Sequence, residues 1–462
     1  MPIASPSLRF RFLLPIAAVT LLSAFAPPAR LHAEPPAAKT VHGELIQVDG
    51  VTVLRVWGDA RERGFAHGWL MAEQIVKLTD AFIRTFEPLG GAKGFEKAAA
   101  MCRGLMVVEP DYEAELRGLI AGVEARLGDK AVIPVLKRKG TYIDIMTLNA
   151  FADLGRLGCS SFAAWGKATT DGETISGRNL DWFGDASEAL TGGQIVVAQL
   201  PRYRNTADYG SSGDSDLPTA QGWVSLTWPG LTICLTGMNS DGVTLSMHDS
   251  GGRGKWLRPR STPRGYVIRE ALEFVRPTSI LDDISGVLRN RHTVVGNNFP
   301  VSFPSTGGSP ASIVFEYDGD QKNSSGFTIR GGDGGATGDR SGEQSSDFYQ
   351  TCTNHYRSRD EATRCERYDT LRKRLDQAHG GSEKIDVAAG WKMLDDVSMF
   401  GRVKTYHSVV FEPNKRRMHV AFSDGKQSAT KCKHHTLDVA ALLKGGSATV
   451  AAKPTPAAPV SP

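Results

Sequence analysis

Downstream of its first residues the sequence has no apolar run long enough for a transmembrane helix. It lacks a charge excess as well: 54 Lys and Arg against 50 Asp and Glu leave +4 on 462 residues. That balance offers no basic surface of the kind a nucleic-acid-binding chain needs. Cysteine is scarce, with Cys102, Cys159, Cys234, Cys352, Cys365 and Cys432 spread along the chain, too thinly for a disulfide scaffold. If Cys159 is a working thiol, an odd number remains and they cannot all pair; a Cys352–Cys365 bridge stays open. The nearest thing to a metal motif is KCKHH (Lys431 to His435). It has no second ligand pair at a sensible spacing, so it reads as a solvated basic patch, and no metal or cofactor is expected. No internal repeat is visible.

What is present is ordinary globular material, 40% hydrophobic and 23% charged. It follows a start of a different kind. Arg9 and Arg11 precede FLLPIAAVTLLSAFA, and small residues follow at Ala24, Ala26 and Ala33. The order basic, apolar, small is that of a secretory signal peptide over residues 1–33. The run is short for a span and broken by Pro15, so cleavage is expected rather than stable membrane insertion. A secreted or periplasmic protein follows from this reading, and export permits disulfides.

Val41 to Leu54 reads as a short β start. Leu70, Ile75, Leu78 and Phe82 then recur at helical spacing, predicting a helix within Asp59 to Phe86. A second helix follows Pro110 and ends before Gly128, and a third covers Tyr142 to Leu154. At Cys159 the character changes. Strand-like runs appear at Gln194 to Gln199, Trp223 to Trp228, Leu231 to Thr236, Gly242 to Met247, Ala311 to Tyr317, Thr405 to Phe411 and Arg417 to Phe422. Arg264 to Val275 is an amphipathic helix, with Ser261 or Thr262 as cap and Pro263 at its first position. Arg330 to Ser346 is a Gly-rich polar loop, and 444–462 an Ala/Pro-rich disordered tail. Helices before Cys159 and mixed strands after it indicate an α+β layered architecture.

Within LGCSSFAAWGKATTDGETISGRNLDW (Leu157 to Trp182), two strand-like runs flank Asp171-Gly172, a hairpin signal. Gly158 leaves the backbone unhindered before Cys159, and Ser160 and Ser161 make the surroundings polar. Arg178 and Asp181 return across the turn. A guanidinium beside a thiol favours the thiolate, and a carboxylate can hold an amine or orient the arginine. An Arg-Asp pair that merely ties the hairpin together fits the spacing equally well. Two-residue-turn pairing sets Cys159 opposite Gly184 and Phe162 opposite Asp181, placing the aspartate on the other face from the thiol unless a bulge or longer turn intervenes.

This stretch resembles the start of the mature chain in the cysteine N-terminal-nucleophile (Ntn) hydrolases, the group containing choloylglycine and penicillin V hydrolases, acid ceramidase and isopenicillin-N acyltransferase. The shared pattern is a cysteine, a D-G turn, then G-R-N-x-D, at Gly177, Arg178, Asn179 and Asp181. RERGFAHGWLMAEQI (Arg61 to Ile75) points to the acyltransferase branch, which carries a long pro-segment of this kind. The resemblance covers most of Val41 to Phe422. It implies an α+β fold, a four-layer αββα sandwich of antiparallel sheets, with a mainly helical pro-segment at 34–158 and a catalytic chain at 159–443. The precursor would cut itself at Gly158–Cys159 and free the Cys159 α-amine. An α-amine has a pKa near 8 and can act as base for its own side chain.

Further stretches match the same group. TGMNSDG (Thr236 to Gly242) resembles the element beside the substrate pocket and makes Asn239 a substrate-binding candidate, although Asn239 to Gly242 equally reads as a plain hairpin turn. Counting on from Asn239, the position of an oxyanion-hole asparagine falls on Asp249. A carboxylate cannot donate unless protonated, so a backbone N–H, His248 or Asn239 would have to serve. CTNHYRSRDEATRCERYDTLRKRL (Cys352 to Leu375) implies that Asn354 stabilises the tetrahedral intermediate. An arginine on the next helix completes the polar set: Arg364 by direct alignment, Arg367 one turn on as the alternative. TYHSVVFEPNKRRMHVAF (Thr405 to Phe422) resembles the group's closing hairpin, with a structural role.

The implied function is an exported, self-processing amidohydrolase. It would cleave a linear non-peptide C–N amide through a Cys159 thioester, with a small-molecule amide as partner and water as final acceptor. An acyltransferase between amines is the alternative. A catalytically silent exported binding protein is a third reading, opposed by intact Arg178, Asp181 and Asn354 and favoured by Asp249. A papain-like protease fits poorly, because no Gly-Ser-Cys signature surrounds Cys159 and His355 is a weak substitute. A homo-oligomer is compatible with the sequence, which does not require one.

Overall fold

Gly43–Val48 and Val51–Val56, rich in Val, Leu and Ile, close into a hairpin on Asp49 and Gly50, both at positive φ (50° and 84°). The computed structural model describes residues 40–154, 157–183, 188–202, 220–250, 259–305, 309–317, 326–331, 348–359, 364–381, 383–445 and 449–450. The expected signal peptide, the Tyr203 to Leu217 loop, most of the Gly-rich loop and most of the tail lie outside them. Among the described residues no helix is long and apolar enough to cross a membrane.

The helical pattern after Asp59 is two helices, Ala60–Leu70 and Ala72–Arg84, broken at Met71. Asp59 opens the first with a capping box to Glu62. Pro110–Leu127 and Tyr142–Asn149 form as expected, and Ala92–Leu105 is an additional helix. The Ala60–Leu70 and Pro110–Leu127 helices cross with almost no separation. A Cβ on Gly64 would lie 1.9 Å from the Glu115 carbonyl oxygen, and one on Gly68 1.9 Å from that of Leu119. Gly118 and Gly122 answer from the other helix, 2.3 Å from the Arg61 and Phe65 carbonyls. Neither side has room for a side chain, because what it meets is backbone.

Two sheets stack behind these helices. In the larger, ten strands among the described residues run from Phe327–Arg330 at one edge to the Gly43–Val48 hairpin at the other. Its pairs are antiparallel except one: Val51–Val56 runs parallel to Ile195–Gln199. The smaller sheet has six strands, centred on Gly158–Ala164, Ile175–Phe183 and Val403–Glu412. Val53, Val196, Val224 and Met238 of one sheet pack on Val409, Phe411, Met418 and Val420 of the other. The outer face of the smaller sheet is covered by Glu366–His379 and Val387–Asp396, through Phe162 and Ile175 against Leu371, Leu375 and Leu394. The helices before Cys159, with Arg264–Phe274, cover the larger sheet. The result is the expected α+β sandwich, helix–sheet–sheet–helix.

Cys159 therefore does not mark a packing boundary: the segment before it supplies two strands of the larger sheet. A buried charge network reinforces the join. Arg269 holds Glu115 (2.7 Å) and Glu273 (2.8 Å), while Arg63 and Gln199 also reach Glu115 (3.3 and 3.2 Å). Burial opposes ionisation of Glu115, but Arg269 and Arg63 outweigh it and hold its carboxyl below the usual range. Residues on both sides of Gly158–Cys159 thus share one set of charges, and removing one partner would strand the others.

Other expectations are corrected by distant contacts. Leu231 to Thr236 is irregular, with the strand at Thr236–Asn239 instead. The helix after Pro263 is not capped by Ser261 or Thr262; the Arg264 amide donates to the Asp153 carboxylate (3.1 and 3.3 Å), from the segment before Cys159. All six cysteines are free, so Cys352 and Cys365 are not bridged.

Two outcomes follow. Gly68→Ala should lower stability by about 3 kcal/mol, measured by denaturant unfolding, because the clash is with a carbonyl and cannot be relieved by a rotamer change. His67 accepts a hydrogen bond from the Gly230 amide (2.9 Å), and burial depresses its pKa from 6.5 to about 4. Between those values the unfolded chain binds one more proton than the folded one. Stability present above pH 6.5 is therefore lost as pH falls towards 4, by about 3 kcal/mol. His67→Gln, which retains an acceptor, should remove this acid-dependent loss, read as unfolding free energy against pH.

Candidate functional site

The hairpin register decides the geometry. Gly158–Ala164 and Ile175–Phe183 pair so that Gly158 faces Asp181, Cys159 faces Leu180 and Ser161 faces Arg178. The connection is longer than a two-residue turn: Trp165–Thr174 includes a short 3-10 helix at Gly166–Ala168. The expected pairing with Gly184 is therefore displaced by four positions. Directly opposite residues share a face, so Arg178 lies on the face of Cys159, between the sheets. Asp181 lies on the outer face, beside Gly158. The parity conflict between them is real, and the site uses both faces.

On the inner face, Arg178 Nη2 donates to Cys159 Sγ (3.2 Å) and to the Met247 carbonyl (2.9 Å). Arg178 Nη1 meets Thr236 Oγ1 and His407 Nε2 (3.1 Å for the latter). Cys159 Sγ points at the Met247 carbonyl (3.2 Å). The thiol is fully buried. Burial raises its pKa, and Arg178 pulls the other way without cancelling the effect. A small, partly open hollow lies beside Arg178, lined by Ser161, Ser176, Ser246, Gln350 and Cys352.

On the outer face, Gly158 allows Asp181 to come close: a Cβ there would be 3.0 Å from that of Asp181. Asp181 is fully buried, accepting from Thr405 Oγ1 (2.7 Å) and Arg367 Nη1 (2.8 Å). Burial raises its pKa, against the opposing pull of Arg367 and Thr405. Arg367 Nη1 also donates to the Cys159 carbonyl (2.9 Å), and Nη2 to Asn354 Oδ1 (2.9 Å). Asn354 completes the ring. Its Oδ1 accepts from the Cys159 amide (2.7 Å), and its Nδ2 donates to the carbonyls of Leu157 (3.1 Å) and Asp249 (2.6 Å). Asn298 holds this loop by donating to the Thr353 and His355 carbonyls (3.0 and 2.9 Å).

Cys159, Arg178, Asp181 and Asn354 are thus brought together around Gly158–Cys159. The other candidates are placed elsewhere. Arg364 is exposed ahead of Glu366–His379, and Arg367, on the first turn, is the arginine that reaches the site. Asn239 is buried and spent on its own turn, accepting from the Asp241 and Val243 amides and donating to the Leu272 and Val275 carbonyls. Asp249 contributes its main-chain carbonyl, while its carboxylate lies 3.8 Å from Arg264. Thr236, Met247, Thr405 and His407 were not singled out as site residues. Among the described residues no His, Cys, Asp and Glu group is arranged to hold a metal ion.

No family model matches the chain. A curated protein, Protein dcd1B of Dictyostelium discoideum, is 27% identical over 165 residues, 31% of this chain and 31% of that protein, so the match takes in less than a third of that relative's length. A Caenorhabditis elegans N-acylethanolamine-hydrolyzing acid amidase ortholog is similar in structure over 55% of this chain and 93% of its own, at 18% identity and a TM-score of 0.35. Two variants of the conjugated bile acid hydrolase from Clostridium perfringens align over 64% of this chain, at 13% and 12% identity and TM-scores of 0.39 and 0.38. They are covered over 97% and 98% of their lengths.

A second thiol near the site behaves oppositely to Cys159. Cys365, half-buried just before Glu366–His379, would be raised by burial. Hydrogen bonds from His355, the Tyr368 amide and Thr353, with the charge of Arg367, outweigh this and lower its pKa to about 6. In the full-length chain at pH 7, iodoacetamide should modify Cys365 well before Cys159, as read by peptide mass spectrometry. Faster labelling of Cys159 would contradict the burial argument.

Proposed function

We propose that the chain is a self-processing cysteine amidohydrolase of the Ntn kind, with Gly158–Cys159 as the bond it cuts and Cys159 as the nucleophile of the cut enzyme. One observation carries the reading: the Gly158–Cys159 peptide is gripped from both faces of one hairpin. Arg178 contacts the thiol on one side, and Asp181, Arg367 and Asn354 surround the peptide on the other.

In the first reaction Cys159 Sγ bonds to the Gly158 carbonyl carbon and the thiol proton passes to the departing Cys159 nitrogen, leaving a thioester and a free amine. Water then adds to the thioester, producing a Gly158 carboxylate and restoring the thiol. The new α-amine lies beside Asp181 and Asn354 Oδ1, both suited to hold it. It takes the thiol proton when a substrate amide is attacked. The acyl group moves to Cys159 Sγ, the amine leaves with a proton, and water releases the acid.

Asn354 Nδ2 is occupied by the Leu157 carbonyl in the uncut chain. Departure of the Leu157–Gly158 end frees that donor for the oxyanion of a substrate. The basic, apolar and small-residue order of residues 1–33 supports export, and the resemblance of Gly158 to Trp182 supports a linear non-peptide amide as substrate class.

Intact mass and N-terminal sequencing test this directly. Wild-type protein should become two chains, the second starting at Cys159, and Cys159→Ala should stay whole. Asn354→Ala should lower kcat on an amide panel about 100-fold. A wild type that stays uncut, with amide hydrolysis persisting in Cys159→Ala, would overturn the proposal.

A further inference from the structure

We infer that His407 and Gln194 are positioning residues for Arg178, setting its guanidinium on the Cys159 thiol through a neutral imidazole of defined tautomer. The inference rests on the self-processing reading above.

The chain of contacts begins at Gln194. Its Nε2 donates to the carbonyls of Thr191 (3.3 Å) and Tyr406 (2.8 Å), so its Oε1 faces His407 Nδ1 at 2.9 Å. An acceptor there requires a proton on Nδ1. In the neutral ring Nε2 then carries the lone pair, 2.9 Å from Thr236 Oγ1 and 3.1 Å from Arg178 Nη1. Arg178 has only donors, so an acceptor is the one thing His407 can usefully offer it. With Nη1 held by Thr236 and His407, Nη2 is aimed at Cys159 Sγ and the Met247 carbonyl.

A bulge makes the arrangement reachable. Val403–Glu412 pairs with Ile175–Phe183 with a register shift between Thr405 and His407, so Thr405 stands opposite Asp181 and His407 opposite Leu180. Residues two apart on a regular strand share a face; the extra residue puts Thr405 on the Asp181 side and His407 on the Arg178 side. One strand thereby serves both halves of the site.

Protonation of His407 would replace the acceptor with a second cation against Arg178. The charged group facing the ring is Arg178, from the neighbouring strand; its other neighbours are Thr236, Gln194 and the rings of Trp228 and Phe422 (6.3 and 6.4 Å). Burial and Arg178 together hold the imidazole pKa well below 6.5, so the neutral ring persists at ordinary pH.

The test is self-cleavage rate against pH for full-length wild type, His407→Leu, His407→Gln and Gln194→Glu, with circular dichroism and melting temperature to confirm folding. His407→Leu should slow cleavage at least tenfold, about the weight of one lost hydrogen bond to a charged group. His407→Gln, which restores an acceptor near Nε2, should recover to within about threefold of wild type. Gln194→Glu sets a carboxylate on Nδ1–H and favours imidazolium, so the acid limb should move up by about 1 pH unit. If His407→Leu fails to fold, the acid limb of Gln194→Glu decides. A wild-type rate in folded His407→Leu, or an unmoved acid limb in folded Gln194→Glu, would overturn the inference while the self-processing reading stands. An uncut wild type would overturn that reading itself.

Discussion

A buried guanidinium without a full counter-charge in contact governs this molecule. Arg178 is 1% exposed between two sheets, and its hydrogen bonds go to a carbonyl, a hydroxyl, an imidazole and a thiol. Burying a cation among neutral groups is expensive. The cost falls if a neighbour becomes an anion, and the neighbour able to do so on that face is Cys159. Burial of the thiol works against its ionisation and outweighs the pull of Arg178.

The other half of the site follows from keeping charges apart. Asp181 is also fully buried, but the hairpin register places it across the sheet from Arg178, where Arg367 meets it. Had both groups shared a face, they would have paired with each other and left the thiol out. Strand alternation separates them, and the bulge between Thr405 and His407 lets one neighbouring strand support each group on its own side. The segment before Cys159 is built into this framework through the larger sheet and the Glu115–Arg269 network.

Much of the site was legible because it is local. Cys159, Arg178 and Asp181 lie within one hairpin, and Asn354 stands in a short motif of its own. Arg364 and Arg367 were separable only once the helix start was known: Arg364 falls ahead of it in solvent, and Arg367 falls on its first turn, facing the sheet. Asn239 was a candidate by resemblance and a plain turn residue by composition; in the structure its side-chain amide is spent on its own turn and on the Leu272 and Val275 carbonyls. The paired small residues Gly64, Gly68, Gly118 and Gly122 were visible as spacing in two helices, but their meaning needed the crossing that brings them together.

By itself, the sequence determined which segments would be helix or strand after most breaks, the α+β character, and the identity of the thiol, guanidinium, carboxylate and amide. These are properties of residue type and short-range pattern. The tertiary structure alone decided which face each group occupies, which arginine reaches the peptide, and that His407, Thr236 and the Met247 carbonyl surround Arg178. The reason is physical: strand register is set by the length and shape of a connection, and cross-sheet contacts join residues far apart in the chain. Neither leaves a periodic trace in the order of amino acids.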